Sequence, residues 1–198
     1  MRIFDVFKRS RNKNINWFPE VEDVFNSEIE KCKEIFFPVC SILLSDVNPN
    51  LGDERIHLIQ FNEDPYNEET VAYFNEYNKN NMISFQLVDG KYNFNSDLRF
   101  FDLTEDWVEW FEKTRESYFE SKRLHNSGDL KKPYVNITVG GEPDWWQADE
   151  TPIDPSGNPM IFITEFETDS ICNDYCDKKI FLFYSPEYKL AVQIYQIT

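Results

Sequence analysis

The chain has 198 residues, of which 41% are hydrophobic and 17% aromatic, which is enough apolar material for one folded domain with a sizeable core. This composition excludes a disordered chain. The formal net charge is −16, and a field of that sign repels nucleic acid and anionic membranes while it attracts basic proteins. We therefore expect a basic protein partner, no nucleic-acid partner and no membrane association.

The negative charge is unevenly distributed along the chain. Residues 1–14 contain five basic residues against Asp5, a balance of +4, so residues 15–198 carry −20. We accordingly divide the chain into a basic N-terminal arm, 1–14, and a single domain, 15–198. The strongest local signal lies between Glu142 and Asp177, where ten acids occur without a lysine or arginine.

The cellular compartment is expected to be the cytoplasm, because the sequence shows neither a signal-peptide pattern nor a long apolar run. The four cysteines, Cys32, Cys40, Cys172 and Cys176, are then expected to be free thiols.

The first predicted elements alternate between helix and strand. Pro19 suits a first helical turn and predicts a helix to about Ile35. Val39 to Leu44 and Arg55 to Phe61 have the pattern of strands. Asn67 to Asn78 is weakly amphipathic and predicts a second helix.

A hairpin and a long helix follow. Met82 to Val88 and Lys91 to Phe94 flank Asp89-Gly90, the strongest hairpin signal in the sequence. Thr104 is the expected N-cap of a helix that runs to about Leu124. The apolar stripe of this helix should pack on a sheet; it comprises Trp107, Phe111, Thr114 and Tyr118.

The last third of the chain is dominated by strands. The predicted strands are Tyr134–Val139, Met160–Phe166, Lys179–Tyr184 and Lys189–Ile197. Because strands outnumber helices and are mostly neighbours in sequence, the expected fold class is α+β, with a largely antiparallel sheet and a few covering helices.

The stretch between the first two of these strands predicts a rigid corner. Gly140 and Gly141 suit a turn that needs positive φ or a close backbone approach, and Pro143 fixes the exit. Trp145 and Trp146 follow, and in an extended segment neighbouring side chains point to opposite faces. We expect one tryptophan to be buried and the other half-exposed.

This corner carries a resemblance to a known family. The pattern Gly-Gly-x-Pro-x-Trp-x-Gln at 140–147, then Pro152, Gly157 and Met160-x-Phe-Ile, then Ile-Phe-Leu-Phe at 180–183 and the glutamines at 193 and 196, resembles the YwqG-like family of bacterial domains of unknown function. The chain departs from the family pattern at Glu165, where a glutamine is expected, and has no cysteine beside Pro155.

The resemblance also implies partners. Some YwqG-like proteins are suspected, from their toxin-associated settings, to be immunity proteins. A fainter echo of the glycine, proline and tryptophan pattern occurs in programmed-cell-death-2-like chaperones of a ribosomal protein. A basic toxin or a ribosomal-type protein is therefore the partner that the resemblance implies.

Metal-site and cofactor patterns are weak. Asp154, Ser156, Asn158 and Glu165 fall at the first, third, fifth and twelfth places of a calcium loop, but Pro159 stands where glycine is required. The seven residues between Cys32 and Cys40 do not fit zinc spacing. We expect no metal and no cofactor. Nucleophile motifs are also absent from the sequence, so catalysis is not expected.

Three hypotheses for the function result. The first is a non-catalytic domain, of the immunity-protein or chaperone type, whose acidic face binds a basic protein; its candidate contact residues are Asp144, Trp145, Trp146, Asp149, Glu150, Asp154, Asp174 and Tyr175. The second is a small-ligand or enzymatic site beside Gly140-Gly141, with Trp146 as platform and Asp144 or Glu150 as polar group. The third treats the corner as a fold determinant only.

Overall fold

A computed structural model describes residues 14–64, 66–129, 137–170 and 176–198. Almost all of the basic arm, the candidate contacts Asp174 and Tyr175, and Cys172 lie outside these residues, as does the first part of the strand predicted from Tyr134 to Val139.

Within the described residues, nine strands form two antiparallel sheets. The smaller sheet has the order β1-β2-β3 and the larger one the order β5-β4-β9-β8-β7-β6. The strands are β1 Asn16–Trp17, β2 Phe36–Leu43, β3 Arg55–Phe61, β4 Met82–Val88, β5 Lys91–Phe94, β6 Ile137–Val139, β7 Ile161–Glu167, β8 Lys178–Ser185 and β9 Leu190–Ile197. Few helices accompany them, so the predicted α+β class is confirmed.

Four α-helices are found in the described part of the chain: α1 Val21–Val24, α2 Ile29–Ile35, α3 Leu44–Val47 and α4 Glu105–Asn126. Short 3-10 helices occupy Pro49–Leu51, Glu68–Tyr73, Leu98–Phe101 and Thr168–Ser170. None of the helices among the described residues is long and apolar enough to cross a membrane.

The main core lies between the two sheets and is rich in aromatic rings. Phe36 of β2 contacts Phe85 of β4 with ring centroids 5.7 Å apart, and Phe61 of β3 lies 5.9 Å from Tyr195 of β9. All four side chains are buried. Edge-to-face aromatic contacts of this kind add to the free energy of apolar burial, so they hold the sheets together.

Helix α4 covers the outer face of the smaller sheet. Its Tyr118 is buried, with its ring centroid 5.2 Å from that of Phe37, and donates a hydrogen bond from its hydroxyl to the Pro38 carbonyl at 2.7 Å. Neighbouring residues of a strand face opposite ways, which explains why Phe36 enters the main core while Phe37 meets the helix. The expectation that this helix packs on a sheet is confirmed.

The predicted helix from Pro19 to Ile35 is wrong in its middle. The structure has two short helices there, and the break follows from Phe25, which is buried against Phe36 at 4.9 Å. The backbone N–H of Asn26 donates to the Tyr92 carbonyl, and Glu28 has a φ of 50°. Burial of the Phe25 ring against β2 and β4 thus outweighs continuation of the helix.

Two further expectations need correction. Asn67 to Asn78 does not form an α-helix: a 3-10 helix covers only Glu68–Tyr73, and Asn78 turns back to bond with Asn75. Thr104 stands at the N-cap of α4 but makes no side-chain cap bond. Its hydroxyl donates instead to Asp64 Oδ2 at 2.6 Å.

Candidate functional site

The Gly140-Gly141 corner is built as the sequence predicts. Both glycines have positive φ, 68° and 87°, a region that other residues adopt at a cost. A Cβ on Gly140 would meet only Val47 at 3.7 Å, an ordinary contact, and one on Gly141 would meet nothing within 4 Å. The glycines are therefore required by backbone conformation and not by close approach.

A buried ion pair lies directly beneath this corner. Glu165 and Lys179 are both buried, and their Oε1 and Nζ atoms are 3.2 Å apart. Glu165 Oε2 accepts a hydrogen bond from the Asp144 backbone N–H at 2.7 Å, and Lys179 Nζ donates to the Asp144 carbonyl at 2.6 Å. Glu165 of β7 and Lys179 of β8 thus anchor the corner to these two strands.

The two tryptophans are both half-buried, so the expectation of one buried and one half-exposed ring is wrong. Trp145 lies on the outer face of the larger sheet, with ring centroids 4.4 Å from Phe181 and 5.8 Å from Phe183. It covers a second, smaller core there. The Trp146 ring lies 5.8 Å from Lys179 Nζ.

Gln196 of β9 holds the chain that follows the tryptophans. Its Oε1 accepts from the backbone N–H groups of Trp146 and Gln147, both at 2.9 Å. Its Nε2 donates to the Ala148 carbonyl at 2.8 Å and to Glu150 Oε2 at 3.0 Å. Glu150 also accepts from Asn81 Nδ2 at 2.9 Å. Glu150 is therefore part of the internal hydrogen-bond network.

The other two candidate carboxylates close local turns. Asp149 accepts from the backbone and the hydroxyl of Thr151, which lowers the pKa of its carboxyl. Asp154 is 9% exposed and accepts from the backbone N–H groups of Ser156 and Asn158. The described residues contain no group of three or more His, Cys, Asp or Glu side chains that could hold a metal ion.

The six candidate contacts that the structure describes therefore support the fold and do not converge. The Asp144 carboxylate is 84% exposed although its Oδ2 lies 3.2 Å from Lys179 Nζ, and Asp149 is exposed as well, so a partner could reach both. A role for these residues in partner binding stays a prediction. For Gly140 and Trp145 the contacts are internal, which fits the third hypothesis, and Gln196 holds the following segment through internal hydrogen bonds.

A different part of the molecule has the geometry of a binding site. A cavity of about 540 Å³ opens beside the end of β3 and reaches Tyr195 of β9. We call it the Glu63 cleft. Its lining combines carboxyl, amide and apolar groups, namely Glu63, Asp64, Tyr66, Asn67, Glu68, Thr70, Val71, Phe74, Asn80, Phe100 and Tyr195. No lysine or arginine is among these described lining residues.

Glu63 is the unusual group of the cleft. It is only 6% exposed, and its carboxyl accepts no hydrogen bond from the residues that the structure describes. Burial raises the pKa of Glu63 to about 8, with Asp64 adding to the rise and Lys178 opposing it. At neutral pH the side chain is therefore mainly a neutral carboxylic acid in a concave, partly apolar wall.

Lys178 is the cation whose charge lowers the pKa of Glu63, and it is not among the residues that line the cleft. Its Nζ is 5.0 Å from the centroid of the Tyr195 ring and 5.9 Å from that of Phe61. The residue is 1% exposed. Contacts with aromatic faces stabilise a buried ammonium group, so Lys178 is engaged within the core and does not form part of the open wall.

Asp64 gives the cleft a fixed shape. Its Oδ1 accepts from the Tyr66 backbone N–H at 2.9 Å, and its Oδ2 accepts from the Thr104 hydroxyl at 2.6 Å. Asn67 Nδ2 donates to the Asp102 carbonyl at 3.0 Å. These bonds tie the segment after β3 to the start of α4. The segment that carries the buried Glu63 is therefore held in place.

The rim of the cleft carries three apolar side chains that are open to solvent. Tyr66 is 80% exposed, Val71 55% and Phe74 36%. Exposed apolar side chains gathered around a cavity are characteristic of interaction sites, whereas scattered ones are ordinary. Glu68 adds an exposed carboxylate to the same rim.

Sequence reasoning missed this site. Asn62, Glu63 and Asp64 form a polar run directly before Pro65, which is typical of an exposed loop. The structure buries all three. The one available signal was three consecutive polar residues at the end of a continuous apolar strand, and that pattern does not distinguish a buried site from a solvated turn.

Comparison with known proteins identified no matching protein-family profile, no similar characterised protein and no similar solved structure.

Proposed function

We propose that this chain is a non-catalytic binding domain for a basic protein, and that the Glu63 cleft with its rim is the contact surface. The observation that carries the proposal is the make-up of the cleft: three carboxyl groups and an exposed aromatic rim, with no lysine or arginine among its described lining residues. Such a surface complements a positively charged partner with apolar flanks.

The overall charge supports the same proposal. A net charge of −16 steers basic proteins towards the molecule and disfavours acidic competitors. Neutralisation of a basic toxin, as the resemblance to the YwqG-like family implies, is one concrete form of this function. Holding of a ribosomal-type protein, as the fainter echo of the programmed-cell-death-2-like chaperones implies, is another. We include a cytoplasmic location in the proposal; the buried free thiols of Cys32 and Cys40 are compatible with it.

The test is selection from a random peptide library on the immobilised domain. The selected peptides should be enriched in lysine and arginine next to apolar residues, and the best peptide should bind more weakly as salt rises from about 0.05 M to about 0.5 M. The variant Glu68→Gln should weaken binding, while Glu187→Gln, an exposed acid in the β8–β9 turn, should not.

Two results would contradict the proposal. One is selection of peptides without an excess of basic residues. The other is equal binding by the Glu68→Gln variant and the wild type.

A second candidate function is favoured by one observation, the raised pKa of the buried Glu63. A carboxyl that titrates near neutrality in a cavity of about 540 Å³ also fits a small-ligand or enzymatic site. This moves the alternative from the Gly140-Gly141 corner to the cleft. Native mass spectrometry of the purified protein tests it, because a bound metabolite would add a discrete mass that is lost in Val71→Lys.

A further inference from the structure

The size and lining of the cleft indicate what it can bind. Its volume of about 540 Å³ is within the usual range for ligand pockets. The wall changes character from rim to base: Tyr66, Val71 and Phe74 are exposed at the opening, while Glu63 is buried. A ligand with an apolar stem and a polar tip matches this arrangement.

Lysine and arginine side chains have this form. Each has an apolar stem that packs against hydrophobic surface and a charged head that seeks hydrogen-bond acceptors. The aromatic rings of Tyr66, Phe74 and Phe100 line the same cleft and can add favourable cation–π contacts for such a head. A carboxyl without a hydrogen-bond partner among the described residues supplies the acceptor.

We infer that the Glu63 cleft binds the cationic end of one lysine or arginine side chain of the basic partner, and that Glu63 is the group that contacts this cation. The inference rests on the proposed function and specifies its contact chemistry. Asp64 is already occupied by Tyr66 and Thr104, which leaves Glu63 as the buried acceptor.

Binding should be coupled to a proton. Four titratable groups belong to the surroundings of Glu63, namely Asp64 on the same segment, Glu68 on the 3-10 helix, Lys178 on β8 and Tyr195 on β9. Because Glu63 has a pKa of about 8 before binding, an arriving cation favours its ionised form and the carboxyl proton leaves to solvent. Affinity should therefore rise with pH across the neutral range.

The experiment uses three capped tripeptides, glycyl-X-glycinamide with lysine, arginine or norleucine at X, titrated into the full chain and followed by NMR and calorimetry. The lysine and arginine peptides should shift the backbone signals of Tyr66, Val71 and Tyr195, and norleucine should not. Binding of the lysine peptide should be at least about tenfold stronger at about pH 8 than at about pH 6, with proton release visible as a buffer-dependent heat.

Two variants make the test specific. Glu63→Gln keeps the shape of the side chain but removes the titrating carboxyl. The affinity of this variant for the lysine peptide should therefore change less than about twofold over the same pH range. Val71→Lys leaves the buried acid intact but adds a cation at the rim, and it should abolish binding. The matched control Glu187→Gln should behave as the wild type in both respects.

The outcomes separate this inference from the proposed function. If selected basic peptides bind but shift signals around Asp144 and Asp149 only, the inference fails and the proposed function stands. If they shift the cleft signals with no pH dependence, contact with Glu63 is excluded. If n-butylammonium binds as strongly as the lysine peptide, the cleft is a site for free amines and the side-chain assignment is overturned.

Discussion

The side-chain amide of Gln193 in β9 links the two sheets, because it forms hydrogen bonds with both backbone groups of Ile59 in β3, as a neighbouring strand would. Gln193 Oε1 accepts from the Ile59 N–H at 2.8 Å, and Nε2 donates to the Ile59 carbonyl at 2.8 Å. Both residues are fully buried. The backbone N–H and carbonyl of Ile59, which lie within the core, thus have their hydrogen-bond partners on a residue 134 positions away in the sequence.

Replacement of this glutamine should be costly. In Gln193→Leu the N–H and the carbonyl of Ile59 would lose their partners in an apolar environment, and each buried unsatisfied group costs about 1–3 kcal/mol. We expect a loss of about 2–5 kcal/mol in the free energy of unfolding, measured by urea denaturation with an unchanged slope. Gln86→Leu is the control, since the half-buried Gln86 bonds to the Tyr188 carbonyl near the surface. An equal loss in both variants would refute the role of Gln193.

His57 forms a second link between β3 and the larger sheet. Its Nε2 lies 2.8 Å from the Gly90 carbonyl, so Nε2 carries the proton, and Nδ1 accepts from the Ser41 hydroxyl at 2.7 Å. Burial lowers the pKa of His57 to about 4, and the bond to Gly90 partly opposes this shift. Among the charged neighbours, Arg55 and Lys91 lower the pKa and Asp23 raises it.

The sign of the resulting pH dependence follows from proton counting. Between about pH 6.5 and about pH 4 the unfolded chain binds a proton at His57 that the folded chain does not. This contribution to stability is therefore complete above about pH 6.5 and is lost as the pH falls, by up to about 1.4 kcal/mol per pH unit. NMR of the imidazole nitrogens should show a titration midpoint near 4, with His125→Gln used for assignment. A midpoint near 6.5 would disprove the buried neutral state.

Strands with a clear local pattern were predictable from the sequence. Arg55–Phe61, Met82–Val88 and Lys91–Phe94 have the predicted bounds, because apolar patterning and the Asp89-Gly90 turn act within a few residues. The interruption of the predicted helix at Phe25 was not predictable, since it depends on rings from β2 and β4. Helical periodicity contains no information on such distant contacts.

The Gly140-Gly141 corner could be predicted from the sequence and the Glu63 cleft could not, for the same reason. The positive φ of Gly140 and Gly141 is a property of the local backbone, and residue type predicts it. The burial of Glu63 depends on Tyr195, which is far away in the sequence, and on the 3-10 segment that ends at Tyr73. Reasoning from the sequence therefore located the Gly140-Gly141 corner but missed the Glu63 cleft, where burial raises the pKa of a carboxyl.

The buried pair of Glu165 and Lys179 can be tested by a double-mutant cycle. Lys179→Met leaves a buried carboxylate without its cation and should cost about 3–5 kcal/mol. Glu165→Gln should cost less, because an amide oxygen can still accept from the Asp144 N–H. In the double variant the losses should not add, with a coupling of at least about 1 kcal/mol by thermal or chemical denaturation.

A surface pair provides the comparison for this cycle. Glu109 and Lys113 form an i,i+4 ion pair on α4 at 2.8 Å, with side chains 77% and 41% exposed. Exposed pairs of this kind contribute about 0.3–0.5 kcal/mol. Equal coupling in the two pairs would show that burial beneath the corner adds nothing to the Glu165–Lys179 interaction.

The contribution of Glu63 to the free energy of unfolding declines towards alkaline pH. Its pKa is about 8 in the folded chain and about 4.5 in the unfolded chain, so the folded state holds the extra proton between these values. This contribution is complete below about pH 4.5 and is lost as the pH rises through about 8. Between about pH 6.5 and about pH 8, where His57 no longer titrates, Glu63→Gln should gain about 2 kcal/mol relative to the wild type. Urea denaturation at both pH values measures the gain, with Glu187→Gln as the control. A constant difference between Glu63→Gln and the wild type would mean that Glu63 is ionised in the folded protein, and a buried neutral acid at the base of the cleft would then be excluded.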